Sequence, residues 1–237
     1  MRQRHSTRGA VKSLLKEAFS AGRFSESANK GFGLSADAWQ WGPAHVWLLP
    51  HVPGTRGEPQ AREKLGERFG VPPQDVPMTR DERGRPWLLP PWAHYGAGWS
   101  HSGDHLLVGL GERVRLGVDL ERLRPRPRMR EVVARFFHPE EVRWLESLSD
   151  ADCSDRFFRL WCAKEALLKA HGHGISFGLH RLQFAEDSDG ALHLAWCDPA
   201  LGDPARWTLH EWLAAPGYRA ALAWYPEEAA VPAIMTA

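Results

Sequence analysis

The run Val114-Arg115-Leu116-Gly117-Val118-Asp119-Leu120-Glu121 alternates apolar residues along an extended approach and ends in two acids. Successive side chains of a strand point to opposite faces, so Asp119 and Glu121 share one side and Leu120 takes the other. Further on the chain reads Trp161-Cys162-Ala163-Lys164-Glu165-Ala166-Leu167-Leu168-Lys169. Helical spacing sets Trp161, Glu165 and Lys169 on one stripe, with Lys164 beside it. Two carboxylates from a strand and one from a helix make a hard-oxygen site suited to Mg²⁺, which keeps several waters and binds substrate phosphates. Two lysines supply charge for phosphate oxygens. Taken singly, an acid-x-acid pair at a strand end is usually a solvated edge, and a Lys-Glu on a helix is a surface pair of small worth. The combination, in this order, gives the metal reading its weight.

Outward from these segments, helices and strands interleave, which predicts a mixed α/β protein of the α+β type. Strands are expected at Ala44 to Leu49, over two short segments between Gly98 and Gly111 joined by Ser102-Gly103-Asp104, and at Val114 to Leu120. Further strands are expected at Leu182 to Ala185, Leu192 to Trp196, Trp207 to Trp212 and Tyr218 to Trp224. Helices are expected at Glu58 to Phe69, Pro139 to Leu148 and Asp155 to Ala170. The proline-rich stretch Val71 to Pro91 reads as loop.

The residues at the two acidic segments resemble the 4'-phosphopantetheinyl transferases of the surfactin-synthetase-activating type. These carry G-[IV]-D-[IL]-E followed by W-x-x-K-E-[AS]-x-x-K, both present here without gaps. Trp99-Ser100-His101-Ser102 resembles the family's S-H-S, and Gly84-Arg85-Pro86 its G-[KR]-P. The likeness runs over roughly residues 60 to 225, and Gly98 stands where the family often has Asn. The resemblance implies two similar α/β halves with a coenzyme A cleft between them, joined near residues 112 to 117. It divides the chain into a tail (1–38), a first half (39–114) and a second half (115–237) that carries the metal site.

The resemblance also implies an activity: Mg²⁺-dependent transfer of the 4'-phosphopantetheinyl group from coenzyme A to a serine of an apo acyl or peptidyl carrier protein, with release of adenosine 3',5'-bisphosphate. Asp119, Glu121 and Glu165 would hold the metal. Glu165 would also act as, or position water as, the general base, and Lys169 would neutralise or protonate the leaving bisphosphate. Lys164, Lys169, Arg85, Ser100 and His101 would contact coenzyme A, and Arg62 is matched to a family arginine of the first-half helix.

Arg122, Arg124, Arg126, Arg128 and Arg130 alternate with Leu123, Pro125, Pro127 and Met129, with no acid among them. The prolines predict an extended arm whose arginines share one face. The resemblance implies that it docks an acidic carrier protein and speeds the encounter, although arginine-rich segments also track nucleic-acid phosphates. Two rival functions follow from the same residues: a Mg²⁺-dependent phosphodiester hydrolase, and a non-enzymatic nucleic-acid-binding module built on the arm.

Composition fits an ordinary enzyme. The 237 residues carry 43% hydrophobic and 25% charged side chains and a net charge of +1, which gives no strong field for nucleic acid or membrane. Cys153, Cys162 and Cys197 fit no metal spacing, and an odd count without a secretory signal predicts reduced thiols in the cytoplasm; a monomer is expected. His171 and His173 flank Gly172 and read as solvated loop residues rather than metal ligands. The first 38 residues are rich in arginine and poor in acids, as transit peptides are, but a flexible or extraneous tail is the favoured reading.

Overall fold

The computed structural model describes residues 37–227, and the expected N-terminal tail lies outside them up to residue 36. The first strand, β1 (Asp37–Trp41), already begins inside the span assigned to the tail. It pairs with β2 (Ala44–Pro50), and the four-stranded sheet runs β1-β2-β6-β5 with β5 (Tyr95–Ser102) and β6 (His105–Glu112). Gly103, at φ 58°, makes the β5–β6 turn, a left-handed conformation that suits glycine. Helix α1 (Glu58–Phe69) ends on left-handed Gly70. The proline-rich stretch is not wholly loop, since Met78–Arg80 (β3) and Pro86–Leu88 (β4) form a small hairpin.

The chain passes at Arg113 into β7 (Val114–Arg122). Three helices follow: α2 (Met129–Phe136), α3 (Pro139–Glu146) and α4 (Asp150–His171). The long helix starts five residues earlier than expected, because Ser149 accepts from Asp152 N and caps it there. A hairpin of β8 (Leu182–Glu186) and β9 (Leu192–Cys197) precedes β10 (Thr208–Ala215) and β11 (Tyr218–Pro226). The second sheet runs β10-β11-β7, all antiparallel. The expected mixed α/β class is the observed one.

Strand alternation builds the layers. Val46 and Leu48 of β2 meet Leu116, Val118 and Leu120 of β7 in one buried cluster between the two sheets. Ala61 and Leu65 of α1 cover the far side of the first sheet. Ala221 and Ala223 of β11 pack under α4 on the far side of the second. Gly117 permits that last contact: a Cβ there would collide with the Ala166 carbonyl and the Ala170 amide nitrogen of α4. The helix therefore lies directly on β7, next to Asp119 and Glu121.

Candidate active site

The edge strands β5 and β7 meet at the mouth between the two sheets, and their alternation sets two serines against two acids. Ser100 Oγ donates to Asp119 Oδ1 at 3.0 Å, and Ser102 Oγ donates to Glu121 Oε2 at 3.4 Å. Across from them α4 presents its stripe. Lys169 Nζ donates to Asp119 Oδ1 at 2.6 Å and to Ser100 Oγ at 2.9 Å. The Trp161 indole hydrogen-bonds Glu121. Glu165 lies between these two helix positions, buried, and its carboxylate feels the charges of Lys169, Asp119 and Glu121.

Crowding the acids out of water shifts Glu121 and Glu165. Burial and the neighbouring Asp119 charge push Glu121 up to about 7, against the pull of Arg126 and Lys169. Burial pushes Glu165 up to about 8; Lys169 opposes the rise, and Asp119 and Glu121 add to it. Burial pulls Lys169 down, yet Asp119 and Glu165 outweigh it, so the ammonium ends above its ordinary value. The Cys162 thiol beneath is pushed well up by burial and by the same acids.

Two oxygens, Asp119 Oδ2 and Glu165 Oε1, are buried without a hydrogen-bond partner. Such acceptors with raised carboxylates nearby suit a hard divalent cation. Among the described residues no three acid, imidazole or thiol groups are placed so that they alone could hold a metal. A cation here would complete its shell from water or phosphate oxygens, the habit of Mg²⁺.

A cleft of about 220 Å³ opens from Lys169 along Gly98, Trp99 and Gly117 to Arg80, Arg83 and Arg85. Arg85 is buried, stacks 4.4 Å from the Trp87 ring centroid, and leaves Nε without a partner. Desolvation and then Arg115 lower its pKa. Arg80 lies 5.1 Å over the Trp99 ring and pairs with Glu58 at 2.7 Å. Exposed His101 sits against His51, ring centroids 4.6 Å apart.

The structure therefore brings Asp119, Glu121, Glu165, Lys169 and Ser100 together, with Arg85 along the cleft. It does not bring Lys164 there. That side chain is wholly buried on another face of α4, paired with Glu141 at 2.7 Å and donating to the Leu179 and Leu182 carbonyls. Arg62 is likewise engaged elsewhere: it pairs with Glu58 and donates to the Val76 carbonyl, tying α1 to the following turn. The arginines of 122–130 do not form one extended face. Arg122 belongs to β7 and Arg130 to α2. The Arg126 side chain is only 5% exposed, turned inward onto Glu121 at 3.1 Å. Arg128 pairs with Glu131 and Arg130 with Asp150. Sequence reasoning missed Ser102, Arg80 and Arg83; strand alternation from Ser100 would have found the first.

Comparison with known proteins points one way. The family model described as the 4'-phosphopantetheinyl transferase superfamily matches residues 115–223. A Synechocystis protein named as a 4'-phosphopantetheinyl transferase is 36% identical over 187 residues, spanning 70% of this chain and 73% of its own. The 4'-phosphopantetheinyl transferase HetI of Nostoc is 39% identical over 124 residues, 52% of each chain. The chain thus spans about half of HetI and nearly three quarters of the Synechocystis protein. A Helicobacter pylori holo-[acyl-carrier-protein] synthase solved in complex with coenzyme A aligns over 46% of this chain and 96% of that one. Its TM-score is 0.35 at 17% identity, a likeness too distant to carry an argument.

Proposed function

We propose the function from an established premise: the chain belongs to the 4'-phosphopantetheinyl transferase superfamily, whose members are transferases. It moves the 4'-phosphopantetheinyl group of coenzyme A to a serine hydroxyl of an apo acyl or peptidyl carrier protein. One observation carries the reading: Ser100, Asp119 and Lys169 are hydrogen-bonded into a cluster shared by both sheets, at the head of an arginine-lined cleft.

In this reading the serine oxygen attacks the phosphorus bearing the pantetheine arm. The bond from that phosphorus to the leaving phosphate oxygen breaks, and adenosine 3',5'-bisphosphate departs. Glu165 takes the serine proton, directly or through a water. Lys169 meets the charge that appears on the leaving phosphate. Arg85 and Arg83 hold the coenzyme's phosphates along the cleft, with Ser100 at its mouth, while His101 lies on the other face of β5 against His51. Asp119, Glu121 and Glu165 would hold Mg²⁺, which would supply charge neutralisation at the pyrophosphate.

The two sheets correspond in this reading to the two halves flanking the coenzyme. The exposed Arg122, Arg124 and Arg128 follow Glu121 along the chain and favour an acidic carrier. With Arg126 committed to Glu121, the segment offers less to nucleic acid than its composition promised. Among the described residues all three cysteines are free, which supports a reducing, cytoplasmic setting, and no helix is long and apolar enough to cross a membrane.

The test is direct. Coenzyme A, MgCl₂ and apo carrier protein are incubated with the enzyme, and the carrier is weighed by mass spectrometry. The carrier should gain the pantetheinyl arm, and EDTA should prevent the gain. Release of 4'-phosphopantetheine without carrier would instead indicate a hydrolase.

A further inference from the structure

Lys164 and Glu141 form an ion pair with both side chains fully excluded from water. Lys164 Nζ meets Glu141 Oε2 at 2.7 Å, the Leu179 carbonyl at 2.8 Å and the Leu182 carbonyl at 2.6 Å, so all three of its protons are used. Its ammonium lies 5.2 Å from the Phe137 ring centroid and 5.8 Å from that of Phe184. Glu141 is equally committed: it also accepts from His138 N at 3.1 Å and from Phe184 N at 2.9 Å. The pair thus ties together the start of α3, the start of β8 and the middle of α4.

Such a pair is a poor way to gain stability. Taking two charges out of water costs more than most packing returns, and apolar residues of similar volume often serve as well or better. What a hydrogen-bonded pair supplies, and apolar packing does not, is direction. Lys164 is the residue immediately before Glu165. Gly117 sets how closely α4 approaches β7, and core packing and the Arg159 pairs with Glu186 and Glu211 hold the helix one turn earlier. Three acceptors outside the helix fix its phase at the position next to the reacting carboxylate.

We infer that the Glu141–Lys164 pair is a positioning device: it fixes the rotational phase of α4 so that Glu165 and Lys169 meet Asp119. The inference rests on the assignment of Glu165 and Lys169 to the transfer chemistry. Neither Lys164 nor Glu141 touches the cleft, so the expected signature is a loss in turnover with coenzyme A affinity intact. Misplacement of a reacting group by about an ångström costs on the order of a hundredfold, and a small rotation should cost about tenfold.

The experiment compares wild type with Lys164→Met and the double variant Glu141→Met/Lys164→Met, reading melting temperature, kcat and KM for coenzyme A with apo acyl carrier protein. Lys164→Met leaves a buried, unpaired carboxylate and should melt well below wild type. The double variant removes the stranded charge and should melt above Lys164→Met, though below wild type, because the Leu179 and Leu182 carbonyls and the Phe184 amide lose their partners. It should keep KM for coenzyme A within about threefold, yet remain about tenfold slow in kcat. A double variant with kcat restored would make the pair merely structural and overturn the inference. Should the double variant not fold, Glu141→Gln carries the test, since it keeps the shape and removes the charge; wild-type kcat there overturns the inference equally. Glu165→Gln, run alongside, separates the two layers: full activity in it would sink the assignment of Glu165 itself, whatever the pair does.

Discussion

Replacing Lys169 by Met removes one charge from the centre of the cluster while keeping most of the side-chain volume. Two costs can be worked from the geometry. The first is structural. Asp119 is 3% exposed and would lose its ammonium partner while keeping the Ser100 hydroxyl. Breaking a fully buried pair costs about 3–5 kcal/mol, but the Lys169 side chain is 33% exposed, so screening reduces the expected loss to about 1–3 kcal/mol. The second cost is catalytic. A donor aimed at charge that develops in the transition state contributes roughly 3 kcal/mol, or about a hundredfold in kcat. Lys169 also pulls the Glu165 carboxyl down. Without it Glu165 rises further above about 8, and a smaller fraction is ionised at neutral pH. The assay is steady-state transfer to apo carrier protein across a pH series, with a thermal melt in parallel. kcat should fall about a hundredfold with KM for coenzyme A nearly unchanged, and the acid limb of the profile should move to higher pH. A large rise in KM with kcat intact would refute the reasoning and make Lys169 a ground-state phosphate contact.

Glu165 should also show itself in stability. Its folded pKa, about 8, lies above the ordinary 4.5, so between those values the folded state binds more protons than the unfolded one, and stability falls as pH rises through that window. Metal-free Glu165→Gln should therefore show a flatter decline in melting temperature from acid to mildly alkaline pH than wild type; identical slopes would contradict the buried, protonated carboxyl. Mg²⁺ competes with those protons, so its affinity in isothermal titration should climb across the same window and vanish in Asp119→Ala. Gly117→Ala drives a methyl into the α4 backbone and should cost about 3 kcal/mol in chemical denaturation; a change under about 1 kcal/mol would mean that the helix does not rest on the strand as described. Arg124→Ser with Arg128→Ser should slow association with an acidic carrier about tenfold and reduce its salt dependence, leaving coenzyme A binding alone. Carrier kcat/KM unchanged at two salt concentrations would remove these arginines from docking.

The strand and the long helix were legible because each carries its own period. In β7 the alternation of Val114, Leu116, Val118 and Leu120 against Gly117, Asp119 and Glu121 separates an apolar face from an acid face, and the structure turns the first toward the other sheet and the second toward α4. The arginine segment misled for the opposite reason. Its alternation is in charge alone, with no apolar partner period to say which side is buried. Arginine has a long stem that can turn back under its own backbone, and Arg126 does so, reaching Glu121 and lying 5.6 Å over the Phe158 ring. Helix α2 was hidden in the same way: Val132 and Val133 are its only buried residues, too few to set a helical period against the arginines around them.

Lys164 is the instructive error, because helix geometry alone could have prevented it. At 3.6 residues per turn each step is about 100°, so Glu165 and Lys169 stand about 40° apart while Lys164 and Lys169 stand about 140° apart. Two lysines at that separation on a helix packed along its length cannot serve one phosphate group. The sequence could exclude Lys164 from the cleft on this ground, but it could not say what Lys164 does instead. Its partner Glu141 belongs to a different helix, and its other acceptors are backbone carbonyls, which have no residue type to read. A buried charge is placed by what surrounds it in three dimensions, and here that surrounding was assembled from α3, from the turn at Leu179 and from β8. This is why a lysine inside an otherwise legible motif, one step from the reacting carboxylate, carries the positioning role argued above rather than the phosphate contact that its charge suggested.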